Sequence, residues 1–183
     1  MANHALHRSV AARPPLNASS LSGLRVGVAF RVRSTRLVPL GSPDLSRLKD
    51  LCLACTAFYE LIEGRPATEA TAAEILGPLE PKFAHGTKHV WGGEAQGKLV
   101  AVAELLEGHP AAHDWYIGLL LVAPEQRRQG VGSDFCRAIL DWLAARSGTT
   151  VRLVVHPQNV AARTFWERQG SNSKERSSSF PAV

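Results

Sequence analysis

Apolar positions recur along this chain in two distinct periods, and the switches between them mark its elements. Leu45, Leu48, Leu51, Cys52, Cys55, Phe58, Tyr59 and Ile62 follow the three-and-four spacing of one buried helix face. Ser42-Pro43-Asp44 supplies a helix start, and Gly64-Arg65-Pro66 a stop. Residues 68–76 predict a second, shorter helix ended by Gly77-Pro78. Residues 35–40 predict a first strand. Residues 88–93 and 98–106 predict two more, joined by a four-residue hairpin loop, Glu94-Ala95-Gln96-Gly97. A polar stretch, residues 108–114, leads to the run 117–122, short and continuous enough for a strand buried on both faces. Pro124 ends it, because proline donates no ladder hydrogen bond. Phe135, Ile139, Trp142 and Leu143 then recur at helical spacing, with Arg146 in the last turn and Gly148 beyond. Residues 149–155 (TTVRLVV) read as a β-branched strand, and VAARTFWERQG as a final helix. The order β-α-α-β-β-β-α-β-α belongs to the α/β class.

The densest chemical signal is the turn APEQRRQGVGS between the run 117–122 and the following helix. Gly130 and Gly132 lack a Cβ, so another molecule can approach the backbone there. A strand, a glycine-containing turn and a helix N-terminus together form an anion site, because free N–H groups converge where the macrodipole is positive. Arg127 and Arg128 add charge that suits a diphosphate better than a single carboxylate. The spacing is neither G-x-G-x-x-G nor G-x-x-x-x-G-K-[ST], which excludes the dinucleotide and P-loop fingerprints.

Arg127-x-x-Gly130-x-Gly132 instead resembles the acetyl-CoA signature of the GNAT superfamily of N-acetyltransferases, [RQ]-x-x-G-x-[GA]. A second match follows about 27 residues later, where Asn159, Ala162, Trp166 and Gly170 occupy the offsets of the family's N-x-x-A-x-x-x-Y-x-x-x-G. The resemblance covers residues 35–170 and implies a mixed, mainly antiparallel sheet flanked by helices. It implies acetyl-CoA as cosubstrate, cradled by Arg127, Arg128, Gln129, Gly130, Val131, Gly132 and Ser133. It also implies that backbone groups of Leu121 and Val122 hold the pantetheine arm, with Asn159 and Trp166 near the cofactor. Asn159 equally suits a helix N-cap. Where the family carries an acid Tyr, this chain has Trp166, whose indole N–H donates a hydrogen bond but releases no proton at useful pH.

Length and composition fit this reading. The 183 residues, 45% hydrophobic, suffice for one α/β core. No apolar run approaches the roughly 20 residues that cross a bilayer. Three cysteines, Cys52, Cys55 and Cys136, cannot form an even disulfide framework, which points to a reducing, cytoplasmic setting. Cys52-x-x-Cys55 lies inside a helical pattern and reads as two small core residues. The formal charge of +5 is carried by residues 1–36, which hold six arginines and no acid. The rest has 15 basic against 16 acidic side chains and lacks the broad basic face of a nucleic-acid binder.

Three segments follow: 1–34 as leader or disordered extension, 35–170 as the acetyltransferase-like domain, and 171–183 as an irregular tail. The leader is Arg- and Ser-rich like an organelle transit peptide but has no clean apolar core or cleavage pattern. Disorder, or sequence read from an early start, is the preferred reading. The tail SNSKERSSSFPAV has five serines in thirteen residues where the family continues with closing strands. Those last strands are therefore expected to be missing or altered. That would leave part of the sheet unpaired, or have it compensated by a partner chain, which allows a homodimer.

Acetyl transfer needs a proton acceptor for the ammonium form of the amine and a donor for the tetrahedral oxyanion. Glu104 in the third strand and Tyr116 at the start of the fourth are the candidates, with Asp114, His109 and His113 in the loop between. His109-x-x-x-His113 has metal-ligand spacing, but Pro110 argues against a preformed site, and no metal is inferred. The function expected is acetyl-CoA-dependent N-acetylation of a primary amine on a small molecule or protein. The alternative is an acyl-CoA-binding module or inactive paralogue without turnover.

Overall fold

The computed structural model describes residues 6–10, 35–79, 86–146 and 150–173. Its centre is a sheet in the order β2-β3-β4-β5-β6-β1-β7. β2 (Arg36–Pro39), β3 (Thr87–Ala95), β4 (Lys98–Glu107) and β5 (Asp114–Val122) run antiparallel to their neighbours, and β6 (Thr150–Val155) joins β5 in parallel. Five strands thus form the mixed, mainly antiparallel core with helices on both faces.

One face is covered by α1 (Leu45–Ala54), α2 (Thr56–Glu63) and α3 (Glu69–Leu76). Leu48, Leu51, Cys52, Cys55, Tyr59, Ala72 and Ile75 pack there against Val102, Leu121 and Ala123. The other face is covered by α4 (Val131–Ala144) and α5 (Val160–Arg168). Phe135, Cys136, Ile139, Leu143 and Trp166 meet Ala101, Ala103, Leu105, Trp115, Ile117, Val151, Leu153 and Val155. Strands buried on both faces by alternate side chains explain why β4 and β5 read as continuous apolar runs rather than alternating ones.

Four expectations change. The first predicted helix is two, parted at Cys55 (φ −93°, ψ 18°). A one-residue break leaves the apolar spacing intact, so periodicity cannot detect it. The hairpin loop has two residues, not four. β3 continues through Glu94 and Ala95, and only Gln96 (φ 53°) and Gly97 (φ 75°) turn, both left-handed as a tight hairpin requires. Glu94 is charged because it ties three elements together, accepting from Arg36 on β2 and Arg47 on α1, each at 2.6 Å. Asp114, expected in a loop, opens β5 and accepts from Arg152 Nε of β6 at 2.9 Å.

The fourth change concerns the segments flanking the domain. Leu6–Val10, within the expected leader, forms strand β1 and pairs antiparallel with β6 from Leu6↔Val155 to Val10↔Val151. β7 (Asn172–Ser173), within the expected tail, pairs with β1 on its far side. The far edge of β6, expected to lack closing strands, is covered by the chain's own N-terminal segment. The remainder of residues 1–34 and residues 174–183 lie outside the described residues.

The β1–β6 register is open to a direct cross-linking test. In the double variant Ser9→Cys/Arg152→Cys, register-paired Cα atoms lie about 4.5–5.5 Å apart, within disulfide reach. Oxidation should yield an intrachain bond and a raised melting temperature on a monomeric band; failure to cross-link under oxidation would show the pairing to be wrong. Glu94 is held below its ordinary 4.5 by hydrogen bonds from Arg36 and then Arg47. Its contribution is therefore present above pH 4.5 and lost as pH falls through the folded value. Glu94→Gln should lower the melting temperature at pH 7, and the gap to wild type should close on acidification.

Candidate active site

β5 and β6 are pinned at one end and open at the other. They pair from Asp114↔Thr150 to Ile117↔Leu153 and no further, and the Asp114–Arg152 ion pair sits at the closed end. Just past the last pair, the β4–β5 register shifts between Glu104 and Leu105, so that Gly118 is the extra residue opposite β4. Such a bulge bends and twists its strand. Beyond it, β5 stays paired with β4 but no longer with β6.

The hydrogen-bond alternation of the β4–β5 ladder shows which groups face that gap. The Ala123 amide donates to the Val100 carbonyl at 2.8 Å. Ala101↔Val122 is therefore a pair that exchanges no ladder bonds, and Val102↔Leu121 is one that does. Leu121 is spent on β4, and its side chain is buried. The main-chain groups of Leu120 and Val122 point across the gap instead. Of the two sequence-predicted residues, Val122 faces the opening and Leu121 does not. Leu120 was missed, because a one-residue bulge invisible in the sequence decides the parity.

Where β5 ends, the chain turns through residues 123–130 into α4. The first intrahelical bond runs from the Asp134 amide to the Gly130 carbonyl at 3.0 Å, and Gly130 provides no side-chain cap. The amides of Gly130, Val131, Gly132 and Ser133 precede that bond and lack an intrahelical acceptor, the orphan donors of a helix N-terminus. Arg128 (φ 59°) and Gly130 (φ 86°) adopt left-handed backbone. An arginine in that region is uncommon and costs of order 1 kcal/mol. Arg128 is exposed, with no side-chain partner among the described residues. A Cβ at Gly130 would meet open space, whereas one at Gly132 would lie 3.4 Å from Phe165 and 3.5 Å from the Val122 side chain. Gly132 thus brings α4, α5 and the end of β5 together, and Gly130 supplies the turn. The chemistry of this cradle, four free amides and a free guanidinium, fits a pyrophosphate.

The other predicted residues fall into two groups. Gln129 donates to the Glu125 carbonyl at 2.6 Å, and the Ser133 hydroxyl accepts from Gln169 at 3.1 Å, so both side chains brace the loop and α5. The Arg127 side chain bonds the Val122 carbonyl. Asn159 caps α5, its Oδ1 accepting from the Ala162 amide at 3.0 Å. Trp166 is only 6% exposed and belongs to the core beneath α5. Its ring meets that of Phe165 edge-on at 5.1 Å.

Glu104 and Tyr116 do converge. A Cβ on Gly118 would lie 3.6 Å from Glu104 Oε1 and 3.9 Å from Tyr116 Cε1, so both border the bulge where β5 and β6 part. Lys88 of β3 stands 3.5 Å from the Glu104 carboxylate and donates to the Gly77 carbonyl at 3.1 Å. Burial pushes the Tyr116 phenol above its ordinary 10, so it remains a neutral donor at physiological pH. Its ring meets that of His109 edge-on at 5.6 Å. The three cysteines are free and buried, and burial raises the Cys136 thiol to about 12. Among the described residues no group of three His, Cys, Asp or Glu side chains could hold a metal ion. No described helix is long and apolar enough to cross a membrane.

A splayed parallel pair, a bulge beside it and a helix N-terminus suited to an anion thus lie within one strand-turn-helix segment. Residues 55–170 match the model of the GNAT acetyltransferase family. The chain belongs to this family. It is an acetyltransferase of the GNAT type, the fold of which binds acetyl-CoA for acyl transfer. Solved structures with the same fold include an acetyltransferase from Thermus thermophilus, at 21% identity over 75% of this chain and 86% of that one (TM-score 0.63). The ribosomal-protein-S18-alanine N-acetyltransferase from Escherichia coli is 22% identical over 77% and 79% (TM-score 0.55). The PaiA N-acetyltransferase from Thermoplasma acidophilum, in complex with coenzyme A, is 18% identical over 74% and 88% (TM-score 0.58). No curated protein matches this GNAT member by sequence.

Gly130→Glu and Gly132→Glu should each abolish coenzyme A binding in calorimetry while the fold persists by circular dichroism. Each adds a carboxylate to the anion cradle, and the first also forces a side chain into left-handed backbone. Wild-type affinity in both variants would remove the cradle from the site.

Proposed function

We propose that this chain transfers the acetyl group of acetyl-CoA to a primary amine of a small molecule or protein. The observation that carries the reading is the convergence of Glu104, Tyr116 and the Gly118 bulge at the fork between β5 and β6. The cradle of Arg128 and the amides of residues 130–133 would hold the pyrophosphate, and the main chain of Leu120 and Val122 the pantetheine arm. Acetyl-CoA supplies the reactive thioester.

Glu104 accepts the proton that the ammonium form of the acceptor must lose, by way of water. The freed nitrogen lone pair forms the C–N bond as the thioester carbonyl becomes an oxyanion. The main-chain amides at the fork and the Tyr116 hydroxyl donate hydrogen bonds to the charge that develops. When the C–S bond breaks, sulfur keeps the electron pair and leaves as thiolate. The new C–N bond leaves a second proton on the cationic nitrogen, and water carries it to the departing thiolate, whose conjugate thiol has a pKa of about 8.5. The amide is then neutral, and coenzyme A leaves as the free thiol. A phenol raised above 10 is the weaker acid, so Tyr116 serves as a hydrogen-bond donor rather than as the source of that proton.

The three buried free thiols favour a reducing, cytoplasmic compartment. The near-neutral domain favours neither nucleic acid nor membrane as partner, and a homodimer is compatible with the reading. A second reading, an acyl-CoA-binding module without turnover, is favoured by Trp166, which stands in the core where the family's motif has its acid.

Release of free thiol from acetyl-CoA across an amine panel separates the two readings; thermal stabilisation by acetyl-CoA without turnover supports the module. Given turnover, Glu104→Gln should lower kcat about 10²–10⁴-fold with coenzyme A affinity unchanged. Tyr116→Phe should cost about tenfold. An unaltered kcat in Glu104→Gln would remove it as the base.

A further inference from the structure

Arg127 opens the phosphate-binding signature, yet its guanidinium is engaged on the strand side. Its Nε donates to the Val122 carbonyl at 2.9 Å, and its NH2 group approaches Cys55 Sγ at 3.7 Å. Cys55 lies at the junction of α1 and α2, only 1% exposed, and its thiol stands 3.6 Å from the same Val122 carbonyl. Burial pushes that thiol up, so it stays protonated and can donate to the carbonyl while accepting from the guanidinium. Three elements thus meet at one atom: the end of β5, the α1–α2 break, and the loop that leads to α4. Val122 is the last strand residue, and its main chain faces the gap rather than β4. With no ladder partner on that side, something else must hold its peptide planes.

We propose that Arg127 is a positioning residue, its side chain fastening the Val122 carbonyl so that the pantetheine-facing end of β5 keeps its place. Arg128 supplies the side-chain charge for phosphate. This rests on the acetyl-CoA reading above. A side chain that grips phosphate matters only for ligands that carry phosphate. One that sets the strand end matters for the pantetheine arm alone, with or without its nucleotide.

The test compares dissociation constants of the full-length protein for acetyl-CoA and for S-acetylpantetheine, which has no phosphate, by calorimetry and ligand-observed NMR. Arg127→Met should weaken both ligands by a similar factor, about tenfold for one lost hydrogen bond to a charged donor. Arg127→Gln keeps an N–H donor without the charge and should restore both to within about threefold. Arg128→Met should weaken acetyl-CoA alone and flatten its salt dependence. Arg127→Met weakening acetyl-CoA while sparing S-acetylpantetheine would overturn the proposal and make Arg127 a phosphate ligand. Equal losses in Arg127→Gln and Arg127→Met would also overturn it, since charge rather than the hydrogen bond would then matter. Wild-type protein that binds S-acetylpantetheine but not acetyl-CoA would sink the cradle assignment while leaving the Arg127 comparison readable on the smaller ligand. Binding of neither ligand would overturn both.

Discussion

The site depends on the premature end of one strand pairing. Parallel strands in a buried sheet ordinarily pair along their length, because each unmade main-chain hydrogen bond in a dry interior costs about 1–3 kcal/mol. β5 and β6 forgo this after Ile117↔Leu153 although both continue, β5 to Val122 and β6 to Val155. The bulge at Gly118 turns the unpaired groups of β5 toward the opening. A Cβ at this exposed position would make only ordinary contacts, so the bulge does not itself require glycine. Had the pairing run on, Leu120 and Val122 would be hydrogen-bonded to β6 and no slot for an extended ligand would exist. The open ladder is thus a local sacrifice of stability for binding.

The two faces of the sheet divide the remaining work. Helices α4 and α5 bury the larger cluster, and α4 also delivers the anion cradle, so its start is fixed from within by Val131 and Phe135, both fully buried. The opposite face, under α1 to α3, carries Lys88, Glu104 and Tyr116 near the fork, together with Leu121 and Ala123 in the apolar cluster. An acetyl donor bound through the cradle and an acceptor reaching Glu104 would therefore meet across the plane of the sheet. Under the proposed function, the acceptor side and the donor side of the sheet are thus built from different helices.

Much of this was legible in the sequence, for reasons that differ by element. The order and type of elements from residue 36 to residue 168 followed from long periodic runs and strong breakers, the most robust local signals. The turn into α4 was legible from Gly130, whose left-handed backbone is set locally, whereas the contacts of Gly132 with Phe165 and Val122 are tertiary. Less could be read where tertiary register decides. The parity that exposes Leu120 in place of Leu121 depends on a single extra residue at Gly118. The role of Glu94 depends on Arg36 and Arg47, which only the folded sheet brings near. Trp166 sits at a motif offset, but burial under α5 is a property of packing, which spacing does not report. Asn159 has the bland role of helix cap, as its position before VAARTFWERQG already suggested.

The N-terminal segment shows the opposite failure, where composition misled. Six arginines and no acid across residues 1–36 read as polarity unfit for a fold, and LHRSV, with Arg8 between Leu6 and Val10 on one face, lacks the alternation that would mark a strand. Five residues are too few for composition to register, and a strand that short is specified by its partner rather than by itself. β6 is such a partner: Val151, Leu153 and Val155 are buried, so the strand needs continuous pairing on the side away from β5. Antiparallel register puts Leu6, Arg8 and Val10 opposite these three residues. β1 thereby occupies the place that a closing strand from the C-terminal end would otherwise take, and it leaves β7 only two residues of pairing beyond it. Pairing on this side of β6 comes from the N-terminal segment of the chain. It also explains how the fork can stay open: β6 is held from outside by β1, so it need not follow β5 beyond Ile117 to remain in the sheet.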